Sequence, residues 1–492
     1  MAHVHTDSTS TDKKDSYSAE QISEVNSATS SEASDEQRTL WQNVKKYRKV
    51  TYITFGLTSA ILLYGYDNVV VGTISAMPVF QKDFGIFFEG KWILPSTWLA
   101  LWNIASPIGA MAGSLFGGWL QDKIGRRLAL ALSSFLSAIG ILPPVLRGSG
   151  MALFPAFTLL GQLTGALVIY GALNRDHGYA VAFGSQWPFS FVPIVIAFLV
   201  PESPAWYVRT RQMDKAYKSQ ARLDPPGVDT KAIVDKILKD IEHEELSNKA
   251  TFMECFHKRN FRRTFIIMWS NALTAIFGLQ LLAKASYFLQ LINMKPGISI
   301  IFLILGIVLG LIANVVSIWV LARVGRRPLV VITLLIAALL WASMGIANCT
   351  KIVPAVTWWT AASMMLTIVV CGVGVWPASF AIAAETSSLQ LRAKSQGIGW
   401  FISALSSTAS GLALPYVFNP DEGNLRGKTG FTYAASCLIG AAISWYIIPE
   451  MKGRNVNEID RMFEENIPAR QFKNWRASDS ARAPGAPVQT WV

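Results

Sequence analysis

The sequence predicts an all-α membrane protein of two helical bundles, the first of them truncated, with about 11 helices in all. Three observations predict it. The 492 residues are 51% hydrophobic and only 15% charged, with a mean hydropathy of +0.34, whereas a soluble domain carries roughly 25% charged residues. Apolar runs close to the roughly 20 residues needed to cross a bilayer recur along the chain. The two halves also repeat each other's loop motifs.

Residues 1–47 are rich in Ser, Asp and Glu and poor in aromatics, which predicts a disordered cytoplasmic tail. No cleavable signal peptide is expected there. The first bundle occupies 48–201, with candidate spans at 51–72, 98–120, 149–171 and 179–200. Residues 202–262 are polar. Within them "DTKAIVDKILKDIEHEEL" sets opposite charges three and four apart, which predicts solvated cytoplasmic helices. The second bundle runs over 263–449, with spans at 264–289, 299–321, 328–347, 356–382, 396–418 and 429–448. Residues 450–492 form a second cytoplasmic tail, Pro-rich and disordered from Pro468.

The formal charge of +12 does not point to nucleic acid, because the basic residues sit between spans, where the positive-inside rule places them in cytoplasmic loops. The four cysteines have neither metal spacing nor a disulfide pattern. The five histidines lie in tails or loops without ligand spacing, and no Gly-Lys-Ser/Thr phosphate loop occurs. No enzyme, catalytic residue, metal or cofactor is expected. The partners are the lipid bilayer and a small solute, and the expected state is a monomer. Asn348-Cys349-Thr350 is a glycosylation sequon too close to the membrane to be used.

The repeat serves as a ruler. "QDKIGRR" (121–127) matches "LARVGRR" (321–327), "PPVLRGSG" (143–150) matches "LQLRAKSQG" (389–397), and "PESPAW" (201–206) matches "PEMKGR" (449–454). Such internal repeats mark secondary transporters. Arg327 and Arg392 are 65 residues apart, but Arg127 and Arg147 only 20, a deficit of 45. Arg327 and Pro449 are 122 apart against 74 for Arg127 and Pro201, a deficit of 48. Both place a loss of about one span and its loop between Arg127 and Arg147. The apolar run left there, 128–142, is 15 residues long, about 22 Å as helix, too short for the roughly 30 Å core of a bilayer. It is expected to lie short or re-entrant, leaving the first bundle with a missing wall.

These motifs resemble the sugar porter family of the major facilitator superfamily. The match covers most of residues 50–460 and rests on "YGYDNVVVG" (64–72), "DKIGRR" (122–127), "GQLTGALVIYG" (161–171), "PESPAW" and "PEMKGR". "WPASFAIAAETSSLQLRAKS" (376–395) and "ASYFLQ" (285–290) look most like fungal α-glucoside, maltose-type permeases. The resemblance implies the major facilitator fold and proton-coupled uptake of a sugar across the plasma membrane by alternating access. This chain departs from the family at Ala322, which stands opposite Asp122, at Ala205 after "PESP", and at Met451 after "PE". The seventh-span Gln-Gln pair of hexose carriers is not visible near Gly278, and the fourth span is absent with its Arg.

Asp67 is the best candidate for proton coupling, because an ionisable group inside a span is costly and normally faces a cavity or a partner. In the family the matching Asp takes up the proton while the fourth-span Arg controls its charge; without that Arg, Asp67 is expected to stay protonated and decoupled. Gln162 can both donate to and accept from a sugar hydroxyl, or it makes an interhelical bond. Gln280, Tyr287 and Phe380 are weaker substrate candidates. Asp122, Arg126, Arg127, Glu202, Arg326, Arg327, Glu385 and Arg392 lie at cytoplasmic ends. They orient the chain, and in the family such charges also pair across the bundle as gates. Gly72, Gly113, Gly117 and Gly165 suit close helix approach. Three functions stay open: an α-glucoside carrier, a diverged carrier or exporter of another metabolite, and a non-transporting membrane sensor.

Overall fold

The apolar runs fold as helices whose ends follow local chemistry. In the computed structural model the described residues are 48–475, apart from 89, 126–127, 130–153, 225–228, 248–251, 352, 389–390, 455 and 473–474. The first bundle contains α1 (Arg48–Thr73), α2 (Pro78–Phe84), α3 (Ser96–Ile124), α4 (Phe154–Ala172), α5 (Gly178–Gly184) and α6 (Gln186–Leu199). Between the bundles lie α7 (Pro204–Arg209), α8 (Met213–Leu223) and α9 (Thr230–Ser247). The second bundle contains α10 (Lys258–Ile276), α11 (Leu279–Ala283), α12 (Ala285–Leu291), α13 (Pro296–Arg323), α14 (Arg326–Ala347), α15 (Pro354–Val373), α16 (Val375–Thr386), α17 (Arg392–Phe418) and α18 (Gly430–Ile447). A last helix, α19, spans Val456–Glu464. Helices α2, α7, α13 and α15 begin on a proline, whose missing N–H costs nothing in a first turn.

Each predicted span falls mostly on helix where it is described, with breaks at Ser185, Gly278, Lys284 and Gly374. Six helical stretches among the described residues are long and apolar enough to cross a membrane: 178–199, 296–323, 326–347, 354–386, 394–418 and 426–447. Of the short run at 128–142 only Leu128 and Ala129 are described, so its path lies outside the described residues, as does the tail 1–47.

One small departure from an all-helical chain joins α2 to α3. Ile86–Phe88 (β1) and Lys91–Ile93 (β2) pair antiparallel, with Ile86 opposite Ile93 and Phe88 opposite Lys91. Gly90, at φ +80°, supplies the turn, and the Phe87 and Trp92 rings meet edge to face at 5.4 Å.

Several spans are broken rather than continuous. Gly278, at φ +91°, separates α10 from α11, and a Cβ there would come within 2.9 Å of the Tyr433 ring. The Phe277 carbonyl freed by this break accepts the Trp341 indole N–H at 3.1 Å, so that carbonyl is not left bare in the apolar interior. Lys284 separates α11 from α12, and Gly374 separates α15 from α16. Transporters build their sites at such discontinuous helices.

Helices α1, α4 and α6 pack together in the first bundle, and α14, α15 and α18 in the second. The bundles meet where α3 packs on α17 and α4 on α13. The loop helices α7 to α9 carry a small core of their own, Val208, Ala216, Val234 and Ile241. Past Pro468 only residues 469–472 and Trp475 are described, and the rest of the tail lies outside the described residues. Phe472 is fully buried, 5.2 Å from Phe463, and the Arg262 guanidinium lies over both rings. Two aromatics and a cation suffice to pin this polar segment back on α10 and α19.

Candidate transport site

Helix α1 carries Asp67 and α4 carries Gln162, and glycines let the two helices cross almost backbone to backbone. A Cβ at Gly161 would stand 2.0 Å from the Leu62 carbonyl oxygen, and one at Gly65 would stand 2.0 Å from that of Thr158. Gly165 is nearly as tight against Val69, at 2.6 Å. Asp67 and Gln162 are both half-buried beside this crossing. Asp67 engages a polar or electrostatic partner in the fold. Tyr66 is fully buried, and its ring stacks on Phe189 of α6 at 4.9 Å. Gly72 and Gly165 do sit at close approaches, as expected; the side-chain environment of Gly117 lies outside the described residues.

A hydrogen-bonded cluster joins the two bundles at the end away from the Arg-rich loops. The Tyr287 hydroxyl donates to Asn419 Oδ1 at 3.2 Å and accepts from the Leu94 N–H at 3.3 Å. Asn419 Nδ2 donates to the Leu94 carbonyl at 2.9 Å and to Ser96 Oγ at 3.2 Å. Asp421 accepts the Ser96 N–H at 2.7 Å. Gln290 donates to the Ala76 carbonyl at 2.8 Å and accepts from Gln81 at 3.0 Å, and Lys91 donates to Asn293. The hydroxyl of Tyr287, expected as a sugar contact, is engaged by Asn419 and Leu94 at this junction. Burial and the nearby Arg426 cation push the Lys91 ammonium down from its ordinary pKa.

At the opposite end the sequence repeat becomes a structural one. Glu202 lies against Gly125, where a Cβ would stand 2.4 Å from its carboxylate, and Glu450 lies against Gly325 at 2.2 Å by the same measure. Glu450 accepts the N–H groups of Arg326 and Arg327 at 3.1 and 3.2 Å, an anion seated on the first turn of α14. Arg326 then pairs with Glu385 of α16 at 2.8 Å, and Arg327 lies over the Trp445 ring at 4.4 Å. Arg392 is exposed and reaches the Ala384 carbonyl at 3.4 Å. These charges tie helices within the second bundle. Arg126, Arg127 and the side chain of Asp122 lie outside the described residues.

The other candidates are scattered. Gln280 is half-buried on α11, and Phe380 stacks on Trp400 of α17 at 5.8 Å. The sequon residue Asn348 is buried, its amide donating to the Met344 carbonyl and Thr360 Oγ1, both at 2.9 Å. Sequence reasoning missed Glu450, Asn419 and Lys284. Lys284 had a signal, a charge inside a predicted span; Asn419 had none, because its partners Leu94 and Ser96 come from the far half of the chain.

The sugar (and other) transporter family matches this chain over residues 52–145 and 141–463, two stretches that meet in the short interval between Arg127 and Arg147. The chain is 28% identical over 518 positions to the MFS transporter fmqE of Aspergillus fumigatus, covering 91% of this chain and 94% of that one. It is 26% identical over 510 positions to the general alpha-glucoside permease of Saccharomyces cerevisiae, covering 92% and 82%. Since 91% of 492 residues is about 448, roughly 70 of the 518 positions shared with fmqE have no residue in this chain. Among solved structures, the inward open xylose transporter XylE of E. coli superposes with a TM-score of 0.63 at 18% identity, covering 84% of this chain and 99% of that one. The major facilitator superfamily proton:xylose symporter XylE bound to 6-bromo-6-deoxy-D-glucose gives 0.61 at 17%, covering 85% and 100%. These likenesses show the fold: a multi-pass membrane protein of the major facilitator kind.

Proposed function

The chain belongs to the sugar (and other) transporter family, and on that premise we propose that it is a proton-coupled carrier that brings sugars of the α-glucoside class across the plasma membrane. The observation that carries the reading is a half-buried carboxylate, Asp67, inside α1 at a crossing where glycines hold α1 and α4 together with Gln162. A carboxylate in an apolar wall changes charge when its surroundings change, and alternating access changes them once per cycle. The relatives named as alpha-glucoside and maltose permeases, and the proton:xylose symporter of like fold, support the substrate class and the coupling.

Closure at the Tyr287–Asn419 cluster fits a carrier resting with its site toward the cytoplasm. Arg326, Glu385 and Glu450 then keep the second bundle rigid while the bundles rock. The chain is shorter than its relatives by about one span between Arg127 and Arg147; the repeat ruler, the unfilled positions against fmqE and the interrupted family match support this. A second reading, a diverged carrier of another metabolite, draws on the likeness to fmqE and on Lys284.

Uptake of labelled maltose by cells expressing the chain tests the proposal. Wild type is expected to accumulate maltose above the outside concentration. Asp67→Asn should abolish accumulation yet leave exchange down a gradient. Accumulation that survives Asp67→Asn sinks the coupling role.

A further inference from the structure

Across the ten predicted spans, Asp67 and Lys284 are the only Asp, Glu, Lys or Arg. Asp67 has a place in the proposed cycle; Lys284 has none. Its side chain is 7% exposed, and no hydrogen bond or ion pair reaches its ammonium among the described residues. A cation without a partner inside a span is costly, and such groups normally face the bundle interior or a water-filled cavity.

The backbone around Lys284 is specialised. It is the residue between α11 and α12, at φ −111° and ψ 18°, so the helix is interrupted where the charge sits. The break also touches the other bundle: a Cβ at Gly72 would lie 2.9 Å from the Ala283 carbonyl oxygen. Gly72 ends the same helix that carries Asp67, five residues or about 7.5 Å further along it. Two hydroxyls in these segments are buried without a hydrogen-bond partner, Thr73 Oγ1 directly after Gly72 and Ser286 Oγ two residues past Lys284. An unpaired ammonium and two unused hydroxyls therefore belong to the segments that meet where the bundles touch.

We propose that Lys284 anchors a carboxylate on the transported solute, so that within the α-glucoside class the carrier prefers an acidic sugar to a neutral one. This rests on the reading of the chain as a sugar carrier. A neutral sugar leaves the ammonium uncompensated, whereas a carboxylate supplies the opposite charge and a charge-assisted hydrogen bond.

Equilibrium binding of maltose and of its acid twin maltobionate to the purified full chain in detergent tests the assignment, with succinate as a carboxylate lacking the sugar. Wild type is expected to bind maltobionate at least about tenfold more tightly than maltose. Lys284→Met should erase that preference, and Lys284→Arg should keep it. The wild-type comparison decides even if the Met variant fails to fold. Maltose binding as tightly as maltobionate overturns the carboxylate anchor and leaves the sugar reading standing. Succinate binding that needs Lys284, with neither disaccharide binding, keeps the anchor and overturns the sugar. No binding of any of the three overturns both.

Discussion

Replacing Gly161 with alanine should destabilise the first bundle, and the structure gives the size of the effect. The added Cβ would stand 2.0 Å from the Leu62 carbonyl oxygen and 2.9 Å from the Tyr66 nitrogen. Both neighbours are backbone atoms of α1, so no side chain can rotate away. Restoring ordinary contact means parting α1 from α4 by roughly 1 Å, which opens a gap along the rest of the crossing. Overpacking of this kind costs about 1–3 kcal/mol, and rigid neighbours put it at the upper end. Against that, alanine gains up to about 1 kcal/mol in helix propensity over glycine. Gly171 is the control, since it lies on the same helix and a Cβ there meets nothing within 4 Å. Melting temperatures of the solubilised protein should show Gly161→Ala about 5 °C below wild type and Gly171→Ala at or slightly above it. Equal stability of the two variants would refute the glycine-crossing argument, and with it the placement of Asp67 against α4.

Asn419→Ala removes the amide that donates to Leu94 and Ser96; the closed end should loosen, and a cysteine introduced at Leu94 should react several-fold faster with an impermeant thiol reagent added outside. Glu450→Gln keeps the shape but removes the charge seated on α14; a loss of about 1 kcal/mol, read as a lowered melting temperature that high salt narrows, is expected. The full-length message across the codons for Ile139 to Pro144 should contain about 45 further codons, enough for one span and its loop. A message reading straight through contradicts the view that the shortening lies only in the sequence as written.

The spans were legible because a bilayer imposes a length and a polarity that twenty consecutive residues can display on their own. The repeat was legible for a related reason: Gly125 and Gly325 each receive a glutamate from a Pro-Glu motif, and the motifs were conspicuous before the contact was known. The ring of Tyr287 suits a sugar, but that its hydroxyl bonds Asn419, 132 residues away, could not be read from the sequence. Composition argues for disorder past Pro468; of that stretch, Phe472 is fully buried, packed on Phe463. Lys284 is legible as the lone charge in the span 264–289.

The central claim is that solute and proton move together through a site that includes Asp67. The most direct measurement reconstitutes the purified chain in liposomes with no gradient imposed, adds sugar outside, and follows the external pH. Coupled transport predicts that the medium turns alkaline as sugar enters, with the signal absent in Asp67→Asn and abolished by a protonophore. Sugar entry without a pH change would show a carrier that moves its solute alone, and would contradict the account.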